Sequence, residues 1–277
     1  MQHEQTTTTT TSADGTTIAY ESFGEGTSLV LVGGAFNDRQ SPVAGIPLAR
    51  ALADAGAGAV YAYDRRGRGD SGDSPPYDPA REVEDLAAVI DAAGGAAGLF
   101  GHSSGAALAL RAATAGIGVT RVAAFEPPFT DAARSPDGGD PTLRHPGQDL
   151  AEQIDELVRA GERGAAVELF QISIGIPAEV VEQTRHAPFR PALDAIAHTL
   201  VYDLQVLGSG AVPVDELRAV DVPTLVMVGA ASPEPLRVAA RAVADAVPGA
   251  SLTVLEGLDH SAGTDDLAPV LGRFFAA

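Results

Sequence analysis

Residues 101–105 read Gly101-His102-Ser103-Ser104-Gly105, a G-x-S-x-G pentapeptide. The apolar run Ala96-Ala97-Gly98-Leu99-Phe100 leads into it, and a helix-forming run from Ala106 to Ala113 leads out. A strand, a tight turn and a helix are the context in which this pattern has a mechanism. The turn holds its central serine in a strained backbone geometry with the hydroxyl exposed above a sheet. Glycine at both ends suits that strain, because a β-carbon at either place would collide with the neighbouring strand or helix. The plainer alternative is a Gly/Ser-rich turn in which Ser103 or Ser104 only caps the helix.

Around this turn, strand and helix signals alternate. Residues 16–23 alternate as a half-buried strand, and Ser28–Val32 and Ala59–Tyr63 read as buried strands. Arg50–Ala55 and Pro79–Ala93 have helical character, the latter with Glu82, Glu84, Asp85 and Asp91 opposite its apolar face. Val119–Phe125 is a further buried strand, stopped by Pro127-Pro128. From Phe129 to about Val220 only helical periodicity persists: 152–160, 165–172, 178–185 and 191–207. The strand signal returns at Pro223–Val228 and Ser251–Leu255, with helices over 236–246 and 268–275. A βα alternation interrupted once by a helical insertion predicts an α/β fold: a mostly parallel sheet flanked by helices, carrying a helical cap. The expected division is a disordered polar tail over 1–12, a core over 13–126 and 221–277, and a cap over 127–220.

Composition narrows the chemistry. The chain has no cysteine, which excludes disulfides, thiolate metal sites and a cysteine nucleophile. No His/Asp/Glu cluster has metal-ligand spacing, and Gly24-Glu25-Gly26 and Gly94-Gly95 fit no phosphate-binding pattern, so no metal or other cofactor is expected. A net charge of −19 argues against nucleic acid and anionic membranes as partners. No apolar stretch is long enough to span a membrane, and the N-terminus has neither a basic nor an apolar leader region. The expectation is a cytoplasmic monomer or homodimer acting on a small molecule.

Several motifs fall in an order that resembles the α/β-hydrolase superfamily over nearly all of the chain after residue 12. Val30-Leu31-Val32-Gly33-Gly34 resembles its third strand and oxyanion loop. Tyr63 to Gly72 resembles its YDxRGxGxS segment, and Gly101–Gly105 its nucleophile elbow. Pro223–Gly229 resembles the strand that precedes its acid, and Gly257-Leu258-Asp259-His260 the ending that carries its histidine.

The resemblance implies Ser103 as nucleophile. A serine hydroxyl is a poor nucleophile and needs a base, for which histidine suits near-neutral pH. Of six histidines, His3 is in the tail and His145 in a Gly/Pro-rich loop. Only His260 follows the last strand, as the order Ser, acid, His requires. The acid departs from the family pattern, because Ser232 occupies the usual Asp position. Glu126, at the end of the 119–125 strand, resembles the alternative used by haloalkane dehalogenases and some relatives. Glu126 is favoured and Glu234 is the other candidate.

The family's oxyanion donors map onto the amides of Ser104 and Ala35, with Phe36 as the neighbouring alternative. Asp64-Arg65-Arg66-Gly67-Arg68-Gly69 is read as a structural loop with its charges paired internally. Phe36, His102, Phe129 and Phe170 are candidates to line a substrate pocket. Phe189, His198 and Tyr202 are further candidates from the cap.

The implied activity is hydrolysis of a small to medium carboxylic ester or lactone through an acyl-enzyme. The fold also hosts acyltransferases, cyclases, lyases and isomerases, including natural-product tailoring enzymes, and non-catalytic small-molecule binding proteins.

Overall fold

The computed structural model describes residues 7–129 and 146–276. The first six residues of the expected tail, with His3, and His145 in the Gly/Pro-rich loop lie outside them. The described strands are β1 (Thr8–Thr11), β2 (Thr17–Phe23), β3 (Ser28–Val32), β4 (Ala59–Tyr63), β5 (Ala97–His102), β6 (Val119–Phe125), β7 (Thr224–Gly229) and β8 (Ser251–Leu255). They form one sheet in the order β1-β2-β4-β3-β5-β6-β7-β8. β2 runs antiparallel to β1 and β4, and every other pairing is parallel.

Alternation along the strands divides the core. Val30, Val32, Leu99, Val122, Ala124, Val226 and Val228 point to one face. They pack there against α2 (Pro79–Ala92), α3 (Ser104–Ala113) and α10 (Glu234–Ala246). Leu29, Leu31, Phe100, Ala123, Phe125 and Met227 point to the other, against α1 (Ile46–Asp54) and α11 (Thr264–Ala276). A central strand buried on both faces reads as a continuous apolar run, which is why β3, β5 and β7 are visible in the sequence.

Between β6 and β7 lie α4 (Pro146–Arg159), α5 (Arg163–Ser173), α6 (Ala178–Arg185), α7 (Arg190–Ala195), α8 (Thr199–Val206) and α9 (Val214–Leu217). The single helix expected over 191–207 is two, separated by a turn at 196–198 in which Thr199 Oγ1 donates to the Ile196 carbonyl at 2.8 Å. No helix among the described residues is long and apolar enough to cross a membrane.

One expectation fails at the N-terminus. Thr8–Thr11 are not a disordered tail but strand β1, paired antiparallel from Thr8↔Tyr20 to Thr11↔Thr17. A threonine run is polar, which reads as tail, yet its β-branched side chains favour the extended backbone.

Candidate active site

The parallel strands β3, β5 and β6 end side by side, and the chain is strained just beyond each end. Four non-glycine residues among those described have positive φ, and three of them lie here: Phe36 (62°), Ser103 (55°) and Glu126 (52°). Such backbone costs on the order of 1–3 kcal/mol per residue and persists where the surrounding structure over-determines it. At Ser103 the cause is visible. Its amide donates to the Phe125 carbonyl at 2.9 Å, and its own carbonyl accepts from Ala106 at 2.8 Å as α3 begins. A β-carbon at Gly101 would overlap the Gly105 carbonyl, and one at Gly105 would overlap that of Val32. One at Gly34 would lie 2.9 Å from Ser103 Cβ. The glycines thus let β3, the turn and α3 close on one another. Ser103 makes no side-chain capping bond, which removes the plainer alternative for it.

Glu126 is fully buried. Its amide bonds the Met227 carbonyl at 3.0 Å, fixing it to β7. Oε1 accepts from the Gly229 amide at 2.8 Å and from the Ser232 hydroxyl. Oε2 lies 2.6 Å from His260 Nδ1. Two donors thus hold Oε1, and Oε2 faces the imidazole. The His260 loop is seated by Ala230 and Ala231, whose amides donate to Leu255 and Leu258 carbonyls at 2.9 Å. Glu234, the other sequence candidate, is exposed at the start of α10, and it is Glu126 that meets His260. Ser232, standing where the sequence pattern expects the acid, instead donates a hydrogen bond to it.

His102 points toward His260. The ring centroids are 4.7 Å apart, and Nε2 lies 3.3 Å from the His260 carbonyl oxygen, so Nε2 carries the proton and donates. Burial lowers the His102 pKa to about 3, His260 adds to the effect, and the bond to the carbonyl opposes it. Below the unfolded value of 6.5 the unfolded chain takes up a proton here and the folded chain does not, down to about pH 3. Stability present above pH 6.5 is therefore lost as pH falls, at up to about 1.4 kcal/mol per pH unit. Denaturant unfolding across this window should give a shallower pH dependence for His102→Gln than for the wild type. Equal slopes would count against the assignment.

The remaining candidates divide. Ala35 and Phe36 pack against an apolar cluster of Ile154, Ala166, Val167, Phe170, Ala197 and Leu200. Phe36 and Phe170 meet edge to face at 5.4 Å. Phe129 is elsewhere, beside Ala107, Leu110, Val206 and Leu217 at a cavity of about 100 Å³. Phe189 is 56% exposed. His198 and Tyr202 face the loop after β4: Tyr202 Oη donates to Asp73 at 2.8 Å, His198 Nε2 lies 3.4 Å from the same carboxylate, and Tyr202 stacks on Tyr77. Helical periodicity does not say which side of a buried helix meets a pocket and which meets another element.

The basic loop after β4 is buried and its charges are paired inside the protein, with partners on other elements. Arg65 binds Glu82 of α2 through two 2.6 Å bonds and Asp203 of α8 at 2.7 Å. Arg66 binds Asp85 and Asp14, and Arg68 binds Asp203 at 2.8 Å. No sequence motif marks Asp203. The available signal was its place on the buried face of α8 with Thr199, Leu200 and Val206. Among the described residues no group of three or more His, Cys, Asp or Glu is arranged to hold a metal ion.

The sequence model of the alpha/beta hydrolase family matches residues 29–271. The structure of an alpha/beta hydrolase from Sphaerobacter thermophilus is 46% identical, with a TM-score of 0.85, over 97% of this chain and 100% of that one. An esterase from Exiguobacterium antarcticum is 18% identical, TM-score 0.72, over 98% and 100% of the two chains. A thermophilic esterase from Thermogutta terrifontis is 22% identical, TM-score 0.68, over 98% and 96%. At those identities the two esterases speak to the fold alone. No curated protein matches the sequence.

Proposed function

The chain belongs to the alpha/beta hydrolase family, and from that premise we propose that it is a serine hydrolase cleaving small to medium carboxylic esters or lactones through an acyl-enzyme. The observation that carries this reading is the 2.6 Å contact between His260 Nδ1 and the buried Glu126 carboxylate, beside a strained serine at the end of β5. A carboxylate on Nδ1 holds the proton there and leaves Nε2 as the base.

In the first half-reaction Ser103 Oγ adds to the acyl carbon while His260 Nε2 takes its proton. The carbonyl oxygen becomes an oxyanion held by the amides of Ser104 and Ala35. Ser104 is the first residue of α3, where an amide has no acceptor within the helix. The tetrahedral species collapses, His260 protonates the departing alkoxide, and the acyl group stays on Ser103. Water then attacks, giving its proton to His260, and the acid leaves as Ser103 is reprotonated. Glu126 orients the ring and its carboxylate stabilises the imidazolium.

In this reading residues 127–220 act as the cap. The apolar cluster against Ala35 and Phe36 favours an apolar acyl chain. A fluorophosphonate reports the activated serine directly. It should label Ser103, located by peptide mass spectrometry, and leave Ser103→Ala unlabelled. A folded wild-type protein that resisted labelling would overturn the reading in favour of a binding protein.

A further inference from the structure

A buried carboxylate that the proposed chemistry does not use sits against the serine turn. Asp203, on α8 in the segment inserted between β6 and β7, is 2% exposed. Its Oδ1 accepts from the Ser104 hydroxyl at 2.6 Å and from Arg65 at 2.7 Å, and its Oδ2 from Arg68 at 2.8 Å. Burial alone would raise its pKa, but the Arg68 and Arg65 guanidiniums hold it below the ordinary carboxylate range. The two arginines go on to the turn after β3. Arg68 Nη1 donates to the Gly34 carbonyl at 2.5 Å and to that of Asn37 at 3.3 Å. Arg65 Nη1 donates to the Gly33 carbonyl at 3.2 Å.

These contacts end on the residues that carry the two proposed oxyanion donors. The Gly34 carbonyl and the Ala35 N–H belong to one planar trans peptide unit and point in opposite directions. Holding the carbonyl on Arg68 therefore sets the direction of the Ala35 N–H. On the other side the Ser104 hydroxyl ties the first residue of α3, and with it that residue's amide, to the same carboxylate. We propose that Asp203 is a positioning residue for the oxyanion hole: from the inserted helix α8 it holds the Ser104 donor through the serine hydroxyl and the Ala35 donor through Arg68. The two halves of the hole come from different loops, after β3 and after β5. Asp203 joins them, so the hole is set only when α8 is docked. The inference rests on the serine-hydrolase reading.

The test is steady-state hydrolysis of p-nitrophenyl butyrate by Asp203→Asn and Ser104→Ala, with circular dichroism to establish folding. Asparagine at 203 removes the charge and must turn its amide N–H toward one of the two arginines, which loosens their hold on the turn after β3. Removing one oxyanion donor costs about 10²–10³ in kcat, and displacing it costs less. The expected result for Asp203→Asn is a fall in kcat of roughly 10- to 100-fold with KM little changed. The inhibition constant of an alkyl trifluoromethyl ketone, which adds to Ser103 Oγ to form an oxyanion, should rise by a similar factor. A purely structural role would leave that constant where it is relative to KM. If Asp203→Asn does not fold, Ser104→Ala decides. It keeps the amide, removes the tether, and should lose about tenfold in kcat with the same signature. Folded variants whose kcat and ketone inhibition match the wild type would overturn this inference alone. A Ser103→Ala protein as active as wild type would overturn the hydrolase reading, and this inference with it.

Discussion

Ser103→Ala is expected to lower kcat for ester hydrolysis by roughly 10⁵- to 10⁶-fold, the scale seen when a serine hydrolase loses its nucleophile. The fold should not notice. Ser103 Oγ makes no capping bond to α3, so removing it leaves no buried group unpaired. The strain at Ser103 lies in the backbone, with φ at 55°, and alanine retains it. Thermal unfolding of Ser103→Ala should therefore follow the wild type, while Ser103→Gly should be equally inactive and more stable by about 1 kcal/mol, the roughly 1–3 kcal/mol of relieved backbone strain less the roughly 0.5–1 kcal/mol that glycine costs in chain entropy. An active, stable residue replaced by an inactive, more stable one separates function from folding at a single position. Calorimetry with an ester assay on the same preparations reads both. Full activity in Ser103→Ala would end the serine-hydrolase reading. A stability loss in Ser103→Gly would instead show that the turn is not strained.

The parts of this molecule visible in its sequence are those whose signal is local. The Gly101–Gly105 pattern encodes a close approach of three backbones, and only glycine permits it. The central strands announce themselves because both faces are buried. That Glu126 and His260 could meet was legible only through the family resemblance, which left Glu234 as the other candidate acid. The cooperation of Ser232 with Glu126 was not. It joins residues 106 positions apart, and a serine in a loop carries no mark of its partner. The Asp203 network was hidden for the same reason, since Arg65 and Asp203 are 138 positions apart. Buried charges are paired across elements, whereas sequence periodicity records only which face of one element is apolar. His198 and Tyr202 face the β4 loop and Phe129 lines a cavity beside α3, whereas Phe36 meets Phe170, and the periodicity of one helix does not distinguish these surroundings. The threonines of β1 read as a tail because polarity and strand preference coincide in that residue type.

Glu126, the acid of the proposed mechanism, gives the second large expected effect, and one whose sign depends on background. Glu126→Gln preserves size and burial but replaces the charge that would stabilise a His260 imidazolium, and its amide can hold the wrong tautomer. A fall in kcat of about 10⁴ is expected by analogy with triads whose carboxylate becomes an amide. Ser232 offers a way to move the charge rather than delete it. Its hydroxyl and the His260 ring reach opposite oxygens of the same Glu126 carboxylate. A carboxylate on residue 232 would therefore occupy nearly the space that Glu126 fills. In the wild-type background Ser232→Asp places two acids against each other in a buried site, where like charges cannot both ionise. That variant should lose both stability and activity. In Glu126→Ala the space is vacant and the Gly229 amide is left without its acceptor. There the same Ser232→Asp change should raise kcat by roughly 10- to 100-fold over Glu126→Ala alone. One substitution would thus be harmful alone and beneficial in combination. Measuring kcat for the four proteins of this cycle decides the matter. If Ser232→Asp does equal harm in both backgrounds, the carboxylate's position beside His260 is not what the reaction requires, and Glu126 does not act as the acid.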